Sequence, residues 1–423
     1  MLIGRLDTIS HIKKNTLALS KSSTSIFGIL PKTDTVTVSG QYSTPISVSS
    51  SNTSVATASV SGTTVTITGV GAGSATVTVS TPKGEYTAGS KTCSTSVTAA
   101  TVQPLSVGRT DAGATSTSSY AIFAGGYNGR GGGVTTVDAY NSTLTRTIPA
   151  TLPDRGRYNL VGTTIGNYAI FGGGGDNTLE GPTAVYAYNN SLSRSTITSL
   201  SAALDFPSAA SNTAYAFFAG DSDVNNVDVY NSSLTHYSAT RLYLGRNRMG
   251  GAGTSKRVLF AGGRNSAGDS RYNNVDAYDR YLTRSSPAGL SVARDSIGGT
   301  AVGDYTLFAG GTINSNYDNT NVVDAYNSSL TRSTPTVLSY SGSPTATSLK
   351  GQYALFASGG SYATLNVYNT SLTRSTPSSL SSYDAGTCAT SIGDFAIFAG
   401  AYPISPKPTV DVFDTEFHHI YST

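Results

Sequence analysis

Seven copies of a two-part pattern, spaced 42 to 48 residues apart, constrain this chain more than any other feature. The first part is an aromatic-aliphatic run ending in small residues: YAIFAGG (120–126), YAIFGGG (168–174), YAFFAGD (215–221), RVLFAGG (257–263), YTLFAGG (305–311), YALFASG (353–359) and FAIFAGA (395–401). The second part follows each copy: VDAYNSTLTR, VYAYNNSLSR, VDVYNSSLTH, VDAYDRYLTR, VDAYNSSLTR, LNVYNTSLTR and VDVFDTEFHH. A regular period of this length marks stacked units that bury their apolar faces against one another.

Each part translates into strands. The first reads as a buried strand whose glycines permit close backbone approach. The second reads as a strand, a turn begun by Asn or Asp, and another strand. Before each first part runs a segment of small residues, such as DAGATSTS (111–118) or DSIGGTAVG (295–303), predicted to be an innermost strand. Four antiparallel strands per repeat, named a to d in chain order, predict seven sheets around an axis. Blade 7 ends in His418-His419-Ile420-Tyr421 instead of a usual d strand, and the end of the chain is expected to arrive near residues 101–105.

Over residues 101–423 the pattern resembles the kelch repeat, with its Gly-Gly strand, variable loop, and Val-x-x-Tyr-Asn/Asp strand and turn. The resemblance implies an all-β, seven-bladed kelch-like β-propeller that binds or displays and is not an enzyme. Kelch repeats usually carry a Trp in strand d; this chain has no Trp, so packing between sheets is expected to rest on Tyr, Phe and Leu.

Residues 32–100 differ in texture. Strict alternation in Thr64-Val65-Thr66-Ile67-Thr68 and in Ala75-Thr76-Val77-Thr78-Val79 predicts half-buried strands. Ser51-Asn52, Val55-Ala56 and the run from Gly71 to Val79 resemble the bacterial Ig-like group 2 (BIG2) module, departing from it in an insertion over Lys83 to Lys91. The resemblance implies an N-terminal Ig-like β-sandwich that acts as a surface spacer. Residues 1–31 are assigned to neither domain. Leu2, Leu6 and Ile9 have helical spacing until Lys13 interrupts it, and the segment is read as a docking piece for a larger assembly.

Composition narrows the function. A net charge of +3 with 12% charged residues argues for neither nucleic acid nor an anionic membrane. Cys93 and Cys388 lie far apart and form no disulfide framework or metal spacing. The N-terminus shows no signal peptide, and no segment reads as a transmembrane helix, so no membrane insertion is expected. No metal and no cofactor are expected. Four His are too few for a repeated metal site; Asp221-x-Asp223-x-Asn225 lacks the rest of a calcium loop; the Gly runs lack a strand–helix setting. Glu85, Glu180 and Glu416 are the only glutamates, which disfavours paired-carboxylate glycoside hydrolysis.

Repeat spacing locates the variable surface. From the second-part aromatic to the next first-part Phe the steps are 31, then 30 five times; from that Phe to its own second-part aromatic they are 17, 17, 12, 18, 18, 12 and 15. All variation therefore lies in the b–c loop. In a four-stranded antiparallel sheet the b–c loops share a face with the d–a segments, where Arg and Asp recur. Tyr127, Arg130, Arg155, Arg157, Arg246, Arg248, Arg264, Tyr272, Tyr317 and Tyr362 are the candidate ligand contacts, because aromatic faces stack on sugars and Arg satisfies hydroxyls and carboxylates. The chain is thus expected to be a structural protein of a bacteriophage virion, a tail or head fibre or decoration. Its expected partners are other virion proteins through residues 1–31, further copies of itself on the particle, and a host-surface saccharide or protein. A bacterial cell-surface adhesin and a glycan-processing propeller enzyme of sialidase type are the alternatives.

Overall fold

Every regular element among the described residues is a β-strand. The computed structural model describes residues 12–129, 132–153, 155–176, 182–221, 224–357, 363–382, 387–401 and 406–422. The chain divides into two units, Met1–Thr101 and Val102–Thr423.

The first unit is built by apolar–hydroxyl alternation. Its strands are β1 (Ala18–Leu19), β2 (Ser23–Gly28), β3 (Lys32–Ser39), β4 (Ser47–Ser50), β5 (Ala56–Ser61), β6 (Thr64–Gly69), β7 (Gly73–Thr81) and β8 (Gly89–Ala99). They form two four-stranded sheets, ordered β1-β3-β6-β5 and β2-β8-β7-β4. Val36, Val38, Val65, Ile67, Val77 and Val79 fill one shared core. Their neighbours in sequence point away from it, because successive strand residues face opposite sides.

The expected boundary at residue 32 is corrected. β1 pairs with β3, and β2 runs parallel to β8 from Ser23↔Ser94 to Gly28↔Ala99. Leu17 and Ile26 belong to the core, and the Asn15 amide donates to Thr81 at 2.8 Å. Two short strands in a Ser/Thr-rich stretch give little periodic signal, which is why the segment read as separate. Residues 1–11, including Leu2, Leu6 and Ile9, lie outside the described residues.

In the second unit seven four-stranded antiparallel sheets follow one another, each with strands in the order a-b-c-d. The a strands are Gly113–Ser116, Val161–Ile165, Ser208–Ser211, Gly250–Gly253, Gly298–Val302, Thr345–Leu349 and Cys388–Ile392. Each touches the a strand of the next sheet, and the seventh touches the first, so the sheets close into a β-propeller-like ring. His419–Tyr421 pairs with the preceding strand and supplies strand d of the seventh sheet. The Leu105 amide donates to the Pro408 carbonyl at 2.8 Å, which brings the start of the unit onto that sheet.

Sheets pack large against small. Ile122, Ala124, Val137 and Ala139 of the first sheet meet Phe171, Tyr186 and Tyr188 of the second. The pattern recurs between the second and third sheets, where Ile170 and Ala187 meet Phe218 and Tyr230. The second-part tyrosines are buried to the ring and donate their hydroxyls to backbone carbonyls, as Tyr326 does to Ala288 at 2.8 Å. Aromatic pairs inside each sheet, such as Phe308 edge-on to Tyr326 at 6.1 Å, complete the filling that Trp does not supply. The glycines ending strand b are required. Gly125 and Gly126 have φ of 65° and 112°, and a Cβ would meet the Arg157 and Thr110 carbonyl oxygens at 2.6 Å in each case.

Candidate functional site at the axial mouth

Small a-strand residues leave space along the ring axis. At the a–b end a cavity of about 430 Å³ is lined by glycine, alanine and hydroxyl residues, among them Thr163, Gly251, Thr300 and Thr347. At the d–a end a second cavity of about 360 Å³ is lined by Asp111, Asn159, Phe206, Arg248 and Ser296. These five stand at one repeat position, nine residues before the first-part Tyr or Arg, and all have φ between 46° and 55°. The left-handed turn aims each side chain at the mouth, and the backbones link from sheet to sheet: the Ser296 amide donates to Arg248 and the Arg248 amide to Phe206.

The b–c loops reach the same face. Pairs of backbone bonds join the d–a segment to the loop, as at Thr110↔Tyr127, Tyr158↔Gly175, Asn247↔Arg264 and Asp295↔Thr312. In the fourth sheet the loop is a hairpin closed by Arg264↔Arg271, with Asn265 donating to Asp269 at 2.7 Å across its tip. The fifth-sheet loop repeats it with Thr312↔Asn319 and an Asn314–Asp318 bond of 2.7 Å.

Among the ten residues expected to touch a ligand, Arg157 and Arg246 are corrected: both are fully buried. Arg246 donates to the carbonyls of Gly262, Leu244 and Phe260 and to Asp276 at 2.8 Å. Arg157 donates to the Ala184 carbonyl at 2.7 Å and stacks on Tyr186. With Arg109 and Arg294 they tie the d–a segment to strands b and c, so their forks are spent on the framework. Arg155 is exposed and Tyr127 half-buried, edge-on to Tyr158 at 6.0 Å. Arg248, Arg264 and Tyr272 are half-buried on the mouth side of the fourth sheet, and Tyr317 on the neighbouring hairpin is 69% exposed. Arg130 and Tyr362 lie outside the described residues.

The structure therefore places Arg248 in the mouth, Arg264 and Tyr272 on the fourth-sheet hairpin and Tyr317 on the fifth-sheet hairpin, and adds residues that spacing alone did not single out. Arg271 closes the Arg264 hairpin and binds Asp295 at 2.9 Å. Phe206 lies under the Arg248 guanidinium at 3.6 Å. The signal for Phe206 was its repeat position, shared with Arg248; for Arg271 it was the Asn-x-x-Gly-Asp turn between two arginines. Burial raises the Asp111 carboxyl above its usual range, although the Thr110 hydroxyl and Arg248 work the other way. Burial likewise lowers Arg248, and nearby Arg264 adds to that through like-charge repulsion. Chemically the mouth offers guanidinium forks, hydroxyls and aromatic edges. Among the described residues no three His, Cys, Asp or Glu side chains gather as a metal site.

No family model matches the chain. No curated protein matches it. A solved structure described as that of YjhT is similar to it, with a TM-score of 0.48 and 10% identity over 76% of this chain and 99% of that one.

Proposed function

We propose that this chain is a non-enzymatic attachment protein, a kelch-like seven-bladed propeller carried behind a BIG2-type Ig-like spacer on a bacteriophage virion, where it binds a host-surface saccharide. The observation that carries this reading is the partition of the ring. Strands and c–d turns repeat on a frame that varies by a single residue, while the remaining length variation falls in the b–c loops of one face. Loops on a rigid scaffold are where recognition is usually placed. On that face half-exposed Arg, Tyr, Asn and Asp surround an open mouth, and such residues suit sugar rings and hydroxyls.

Loop replacement tests it. Exchanging the hairpin tip Asn265–Ser270 for a short turn, together with replacement of the tips of other b–c loops, should abolish adhesion to host cells and leave the melting transition in place, because the Arg271–Asp295 pair and the backbone bonds of Tyr272 and Asn273 are kept. Unchanged adhesion would remove the face from the reading. Immunogold labelling of the source particle should find the protein on the virion surface; label confined to the bacterial envelope would favour an adhesin. Docking to the particle is assigned to residues 1–11, because a deletion through residue 31 would also remove β1 and β2.

A further inference from the structure

We propose that the outer edge of the fourth sheet carries a saccharide subsite, where a neutral sugar ring stacks on Tyr243 and is hydrogen-bonded by Asn274. The inference rests on the reading of this chain as a saccharide-binding attachment protein and adds a site to it. The cleft shares no residue with the axial cavity at the d–a end.

The fourth sheet departs from the repeat at one outward position. In the first, third, fifth and seventh sheets a serine follows the buried leucine of the entering segment. Ser106, Ser201, Ser291 and Ser381 each give an amide and a hydroxyl to the carboxylate of strand c. The fourth sheet has Tyr243 there. Its amide still donates to Asp276 at 3.2 Å, but no hydroxyl joins it, and Arg284 closes on the carboxylate at 2.6 Å. Tyr243 is left 66% exposed. The frame is satisfied by serine in four sister sheets, so the large aromatic ring serves something outside the frame.

The same change frees a second group. In the third sheet Asn226, the residue before strand c, donates its amide to Ser201 at 3.0 Å. Asn274 holds that place in the fourth sheet, where tyrosine has replaced the serine. The Asn274 side chain is half-buried and makes no hydrogen bond among the described residues. It is not sealed from solvent, because it and Tyr243 line one cleft of about 260 Å³, with Asn273, Ser286 and Pro287 among the other walls.

Size and charge set the ligand class. The volume falls below the range of about 300–1,000 Å³ that holds drug-sized molecules, so the cleft suits one ring of a chain that continues outside. None of the lining side chains is charged. An anionic sugar would lose hydration there without a counter-charge, which favours a neutral one. Arg284, fixed on Asp276, lies over the Tyr243 ring at 5.9 Å and steadies it. A ring held in place loses little freedom when a ligand arrives. The aromatic face meets the apolar side of a hexose, and a carboxamide can donate to one hydroxyl and accept from its neighbour.

The test combines saturation-transfer NMR and titration calorimetry on the full chain, with neutral oligosaccharides of galactose, glucose and mannose and with oligogalacturonate. At least one neutral sugar should bind, with saturation passing to its ring protons, and the uronate should bind no better. Tyr243→Ser installs the residue of the sister sheets, so the melting temperature should hold while binding falls at least about tenfold, as for loss of an aromatic anchor. Tyr243→Phe should stay within about twofold, and Asn274→Ala should weaken binding about three- to tenfold, as for one lost hydrogen bond. Failure of every neutral sugar to bind, preference for the uronate, or indifference to Tyr243→Ser would overturn the assignment. Host-cell adhesion measured in parallel separates the two claims. Adhesion lost on replacing the b–c tips, with no Tyr243-dependent sugar binding, sinks the rim subsite alone; adhesion indifferent to the tips, with Tyr243-dependent binding intact, sinks the attachment face alone.

Discussion

Arg294 donates to Asp324 at 2.8 Å, and neither side chain has any exposed surface. The pair joins the segment entering the fifth sheet to strand c of that sheet, and the carboxylate's other partners are the Ser291 amide and hydroxyl and, at 3.7 Å, Arg332. Burial weakens Arg294's hold on its proton, and Asp324 offsets that loss. Arg294→Met should therefore cost about 3–5 kcal/mol, because it strands a buried carboxylate. The sixth sheet shows the neutral solution: Gly342 stands at the Arg position and Asn366 at the Asp position, with Ser339 donating to Asn366 at 3.0 Å. Urea denaturation should accordingly find Arg294→Met/Asp324→Asn more stable than Arg294→Met alone. The reverse order would mean that the lost Arg packing, and not the stranded charge, dominates.

The third sheet meets the same need with a histidine. Leu204 occupies the Arg position, and Asp228, fully buried, is held by Ser201 and by His236 at 2.7 Å. His236 sits where Arg284 lies in the fourth sheet, bound to Asp276 at 2.6 Å. His236→Ala should cost about 1–3 kcal/mol. His236→Arg should stay within about 1 kcal/mol of the parent, since the frame already accepts that side chain in a sister sheet. Thermal melts of the two variants decide it; equal losses would show that His236 is needed for its shape.

A left-handed residue ends each c–d turn. Leu144 has φ of 60° and is buried, and Leu192, Leu234, Leu282, Leu330, Leu372 and Phe417 repeat the angle between 59° and 63°. Asn141 Oδ1 accepts the amides of Thr143 and Thr145 and holds the turn. The apolar contact outweighs a backbone cost of about 1–2 kcal/mol. Leu144→Ala should lose more stability than Leu144→Gly by about 1 kcal/mol, inverting the usual order, because glycine is free of that backbone cost. Chemical denaturation that finds alanine the milder change would refute the turn geometry.

The mouth carries a pH signature. Burial raises the Asp111 carboxyl above its unfolded value near 3.8, so the ionised group is a burden in the folded state. The sign is that of a raised acid: the burden is absent below the unfolded value, grows as pH rises toward the folded value, and is full above it. Asp111→Asn, which also tolerates the φ of 53°, should raise the melting temperature at neutral pH and lose that advantage below about pH 4. A gain that persists in acid would locate its cause elsewhere.

Sequence by itself determined the repeat. The order of strands, the small residues of strand a, the aromatic filling without Trp and the confinement of length variation to b–c loops are all local or periodic properties, and Tyr326 or Gly125 can be placed from spacing alone. It did not separate Arg246 from Arg248. Two residues apart on one segment, the first is buried against Asp276 and the second opens on the mouth over Phe206. That division was decided only in the tertiary structure, because an arginine's role follows from which distant carboxylate, carbonyl or ring reaches it. The same holds for β2, whose place beside β8 depends on a parallel partner some 70 residues away (Ser23↔Ser94) and not on its own weak alternation. Periodicity records which face of a strand is buried; the partner of a charge, or of an edge strand, is recorded only in the folded chain.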